Sequence, residues 1–188
     1  MLSEKLKLKT KEQHQQLEVK IVGTIKAIRQ QRDYVKLLQI FAGYFGALEF
    51  LINQTLRSDM LPDFSSRRKA VALKTDLLNM SASLPQKIRN ENLPIIINYL
   101  HALGALYVME GSTLGGQVIT KMIASKLPDE KAFSFFQGYG EKTIEMWNSF
   151  KESINAMNLT KEEEGIIITS ANETFQKFCL YFDLVNAD

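Results

Sequence analysis

The 188-residue chain, 45% hydrophobic, is long enough for one substantial core and short for two full domains. Its 23 basic and 21 acidic residues nearly cancel to a net charge of +2, which excludes the strong positive field of a nucleic-acid binder. The opening MLSEKLKLKTKEQH is charged where a secretory signal has an apolar run, and no later stretch reaches the roughly 20 apolar residues of a membrane span, so a cytoplasmic protein free of membrane is expected.

Apolar positions recurring at three and four residues predict an all-α, multi-helix bundle forming one domain over residues 1–188. The first helix opens at about Ser3, which can cap it, and carries Leu2, Leu6, Leu17 and Ile21 on one stripe. His14 lies beside that stripe, with Thr10 one turn before it and Leu17, Glu18 and Ile21 after it. The residues alone leave two readings. One is a histidine at the core's edge, hydrogen-bonded locally, which is the commoner situation; the other is a neutral imidazole presented to an iron or another ligand inside the bundle.

A long helix follows from about Arg32 to Leu56, another from Ser65 to Met80, and a third from Pro94 to about Leu127. Two or three more complete the chain, and Thr160 with Glu163 forms the capping-box pattern that opens the last, whose stripe is Ile167, Ala171, Phe175, Phe178 and Phe182. Pro62, Pro85, Pro94 and Pro128 punctuate these segments, and no alternating strand, repeat or linker interrupts them.

Residues Pro94 to Met109 are apolar on nearly all sides, as in a helix at the centre of a bundle. Three glycines then fall within six positions, at Gly111, Gly115 and Gly116, giving up roughly 3 kcal/mol of local helix stability. Gly111 and Gly115 share a face where backbone can approach a flat ligand, and Gly116 can let the helix bend. Close helix packing, or a break between two helices, accounts for the same glycines equally well. The Gly138-Tyr139-Gly140 triplet reads as a loop, and the single cysteine, Cys179, as a small buried residue. Two histidines and one cysteine without ligand-pair spacing make structural zinc improbable, and paired Glu-x-x-His, Walker, complete dinucleotide-binding and CxxCH motifs are absent. A histidine-bearing helix and a glycine-softened helix together fit a planar macrocycle.

At this point the chain resembles the heme oxygenase family, closest to its bacterial branch. The resemblance rests on LSEKLKLKTKEQHQQLE at 2–18, YVKLLQIFAGYFGALE at 34–49 and YVMEGSTLGGQ at 107–117. It implies heme as cofactor and substrate, with His14 as the proximal iron ligand and Glu18 orienting its ring directly or through water. It further implies Lys7 and Lys11 at the propionate edge, and Thr10, Tyr107, Phe175 and Phe182 around the macrocycle. Gly111, Ser112, Gly115, Gly116 and Gln117 would form the distal catalytic helix. Many members carry an aspartate after the first distal glycine; Ser112 stands there, so a proton path through water held by backbone, Ser112 or Gln117 is expected. The resemblance implies cleavage to biliverdin, carbon monoxide and ferrous iron by a monomer or weak dimer. Electrons would come from an external ferredoxin or NAD(P)H-dependent reductase. The alternative is a heme-binding or heme-sensing protein on the same fold that leaves the ring intact.

Overall fold

A computed structural model describes residues 1–67, 69–128 and 130–187. The expected 1–188 domain therefore includes three positions, 68, 129 and 188, outside the described residues, the first of them within the helix expected from Ser65 to Met80. Among the described residues there are eight α-helices and no strand: α1 (Leu2–Lys9), α2 (Lys11–Ala27), α3 (Gln31–Thr55), α4 (Val71–Asn79), α5 (Tyr99–Ala124), α6 (Ser134–Gln137), α7 (Thr143–Ala156) and α8 (Lys161–Ala187).

The expected first helix is divided at Thr10, whose backbone leaves the helical region (φ −105°, ψ 1°) while its hydroxyl donates back to the Leu6 carbonyl at 2.8 Å. Back-bonding of this kind bends helices. Ser3 does not cap α1: it lies inside the helix, buried, with its amide donating to Asn155 Oδ1 at 2.9 Å. Glu163 closes the box expected at the start of α8, accepting from the Thr160 amide at 2.8 Å while the Thr160 hydroxyl accepts from the Glu163 amide at 3.2 Å.

α5 is the central helix and packs most extensively on α8. It begins at Tyr99 and not at Pro94, because Asn98 caps it by accepting from the amides of Leu100 and His101 at 3.1 and 3.2 Å. The preceding residues are not helical, and Ile95 and Ile97 lie on the surface, so the apolar run overstates the buried helix there. Gly104 permits the α5–α8 contact: a Cβ there would approach the Ile167 carbonyl closer than 3.0 Å, a separation real side chains essentially never show.

α3 closes the other side through Tyr34, Leu37, Phe41, Tyr44, Phe45 and Leu48. Tyr44 stacks on Phe178 with ring centres 4.4 Å apart, and its hydroxyl donates to the Thr174 carbonyl at 2.7 Å. Among the described residues α3 alone is long and apolar enough to cross a membrane by length and composition, which the sequence reading did not expect; more than half of that stretch is buried in the bundle. Cys179 is buried as expected. All four prolines lie outside the α-helices.

Candidate active site

α2 buries only Leu17 and Ile25 fully, so the face that carries His14 is left uncovered by core. The His14 ring lies edge-on to Phe175 of α8, centroids 5.6 Å apart at 85°, and its side chain remains 58% exposed. Nδ1 stands 3.9 Å from Glu18 Oε2, one turn on, too far for a direct hydrogen bond. The imidazole is thus held on one edge and offered outward on the other.

α2 begins directly after Thr10, which is buried, and packs on α5. Burial raises the Tyr107 pKa above its ordinary 10.0, with the Thr10 hydrogen bond opposing, so the phenol stays neutral and polar at physiological pH. His14 lies one turn beyond Thr10 and Gly111 one turn beyond Tyr107. Trp147 of α7 packs on both Tyr107, ring centres 5.5 Å apart, and Gly111, where an added Cβ would meet its ring at 3.8 Å.

The three distal glycines do different things. Nothing lies within 4 Å of the Cβ position at Gly115. With Gly111, Leu114 (40% exposed) and Val118 (59% exposed) it forms one face of α5 at i, i+3, i+4 and i+7 spacing, apolar and uncovered in a helix otherwise used as core. Gly116 lies on another face, against the Phe136 carbonyl of α6, where a Cβ would come closer than 3.0 Å. It serves backbone packing within a helix that runs unbroken from Tyr99 to Ala124. Ser112 turns its hydroxyl onto the Met109 carbonyl at 2.6 Å, and Gln117 is exposed.

Of the other expected residues, Lys7 and Lys11 are exposed on α1 and α2, while Phe182 is buried with its ring toward Phe178, deeper than Phe175. A polar, open groove of about 590 Å³ follows a flank of α2, lined by residues including Lys11, Gln13, Gln15 and Asn172. His14 and the glycine face do not line it, and its polarity suits no macrocycle.

The sequence reading missed a buried polar cluster behind α5. Glu110 accepts from Arg67 Nη1 at 2.7 Å and from the Tyr139 hydroxyl at 2.9 and 3.0 Å. Arg67 also donates from Nε and Nη2 to the two Asp63 oxygens, at 3.0 and 2.6 Å. The available signal was a lone acid in a long apolar run, since a buried carboxylate requires a partner. Arg67 and Asp63 carried no such mark.

The sequence model of the heme oxygenase family matches residues 1–183. The chain belongs to the heme oxygenase family. It is 27% identical over 181 residues to the heme oxygenase PigA of Pseudomonas aeruginosa, covering 94% of this chain and 88% of that protein. Two solved structures share the fold. The heme oxygenase of Neisseria meningitidis, described in its NO- and CO-bound forms, superposes with a TM-score of 0.83 at 21% identity, over 100% of this chain and 92% of that one. The heme oxygenase of Leptospira interrogans does so with a TM-score of 0.77 at 18% identity, over 97% and 98%.

Proposed function

We propose that this chain binds heme between His14 and the Gly111–Val118 face of α5 and cleaves it to biliverdin, carbon monoxide and ferrous iron, using dioxygen and external electrons. The observation that carries the reading is the uncovered apolar face of an otherwise core helix, paired with an imidazole left open on α2. The donor set agrees: among the described residues no group of three or more His, Cys, Asp or Glu is placed to hold a bare metal ion, whereas one imidazole suits an iron that brings four ring nitrogens with it.

His14 would supply a nitrogen ligand to the iron, with Glu18 orienting its ring through water and Phe175 fixing one edge. Lys7 and Lys11 would meet the propionates, and Thr10 and Tyr107 would close the inner end. Bound heme supplies the iron at which dioxygen is reduced and the ring that is oxidised. The protein supplies space and water control. The missing side chain at Gly115 would leave space on the heme-facing side of α5, and Trp147 would wall that space at Gly111. The Ser112 hydroxyl donates to the Met109 carbonyl, so water on this face would be held by glycine backbone where other members offer a carboxylate. With no flavin or nicotinamide motif in the chain, a ferredoxin or reductase would donate electrons, in the cytoplasm, to a monomer or weak dimer.

The test is turnover of the reconstituted protein with ascorbate, with catalase present to remove stray peroxide. Loss of the Soret band with growth of a biliverdin band and release of one carbon monoxide per heme is expected. A heme complex that persists with ascorbate and with a ferredoxin–reductase system would replace this reading with non-degrading heme binding.

A further inference from the structure

We propose that Glu110 and Arg67 are positioning residues: a buried charged anchor, outside the heme face, that fixes the register of α5 and thereby selects the ring edge that is oxidised. The proposal rests on the heme oxygenase reading for its second half, and on the unliganded protein alone for its first.

Glu110 immediately precedes Gly111 but lies on the protein side of α5, with a side chain 2% exposed against 1% for Arg67. Each Glu110 oxygen is engaged by Arg67 or Tyr139. The Arg67 fork is filled by Asp63 and Glu110, its Nη1 also reaches the Met146 carbonyl at 3.3 Å, and its guanidinium lies 5.1 Å from the centre of the Phe150 ring. Asp63 in turn accepts from the Ser149 hydroxyl at 2.9 Å. One carboxylate on α5 is therefore tied to the segment before α4, to the 138–140 loop and to α7.

Stability alone does not call for such a device, because well-packed apolar residues replace a buried ion pair without loss. What the guanidinium adds is geometry: bidentate to Asp63 through Nε and Nη2, it donates from Nη1 to Glu110 in one orientation. Beyond this point the open face adds little to hold the helix: nothing lies within 4 Å of the Cβ position at Gly115, Leu114 and Val118 are exposed, and glycine weakens the stretch. The segment is bracketed instead, by the Glu110–Arg67 pair at one end and by the Gly116–Phe136 backbone contact at the other.

The test compares wild type, Glu110→Gln and the double variant Glu110→Met/Arg67→Met, which keeps the volume and removes both charges. Amide hydrogen exchange is followed in the unliganded proteins, and the biliverdin isomers are resolved after turnover. Exchange at residues 111–115 is expected to speed by about tenfold in both variants, with residues 102–106 unchanged. The double variant is expected to melt near wild type and still yield a changed isomer ratio. Wild-type exchange at 111–115 in the double variant overturns the anchor, whether or not the protein degrades heme. Faster exchange with an unaltered isomer ratio overturns the selection of the ring edge. Faster exchange in a protein whose wild type makes no biliverdin leaves the anchor standing and overturns the oxygenase reading beneath it.

Discussion

Gly115 and Gly116 are neighbours in one helix, yet they lack side chains for opposite reasons. Gly116, like Gly104 three turns earlier, is pressed against the carbonyl of another element, and its hydrogen is what lets two backbones touch. Gly115 touches nothing within 4 Å. One kind of glycine is explained by the fold itself. The other weakens the helix and meets no neighbour in the unliganded fold, and under the proposed function its room is left for what the helix binds.

The comparison breaks most visibly at the packed positions. Gly116→Ala and Gly104→Ala each force backbone apart, so a loss of about 3 kcal/mol is expected despite alanine's better helix propensity, seen as a melting temperature lowered by about 6–12 °C. Gly115→Ala should do the reverse in the unliganded protein, raising stability by about 1 kcal/mol and the melting temperature by about 2–4 °C, while turnover falls or the isomer ratio changes. A stable Gly115→Leu with wild-type turnover and isomer would remove the steric argument altogether. The smallest effect lies far from either glycine, at the start of α8. Hydrogen bonds from the Thr160 amide and hydroxyl lower the Glu163 pKa below its ordinary 4.5. A carboxylate whose folded pKa is depressed stabilises the fold above its unfolded value and loses that contribution as pH falls through the folded one. Thr160→Ala should therefore lower the melting temperature slightly at pH 7 and much less at pH 3.

Much of this was legible in the sequence, and the reasons differ by residue. The extent of α3, the periodic stripe of α8 and the Thr160–Glu163 cap are local patterns, and they appear where expected. The helix expected from Pro94 began five residues late, because apolarity was read as burial while Asn98, a strong cap, governed the start. Thr10 divides the first helix through a hydroxyl-to-carbonyl bond that periodicity does not register. Sequence left Gly116 open between a bend and close packing, because its packing partner, the Phe136 carbonyl, is 20 residues away and carries no side-chain signal. The same limit hid Arg67 and Asp63, whose meaning depends on Glu110 across the fold.

The central claim, that heme lies against His14 and the open face of α5, is tested most directly by titrating wild type, His14→Ala and His101→Ala with hemin and recording the ferric spectra with and without added imidazole. The account predicts a one-to-one complex for wild type and His101→Ala with the same spectrum, a different and weaker complex for His14→Ala, and return of the wild-type spectrum when imidazole is added. A His14→Ala protein that binds hemin with the wild-type spectrum and affinity would contradict it.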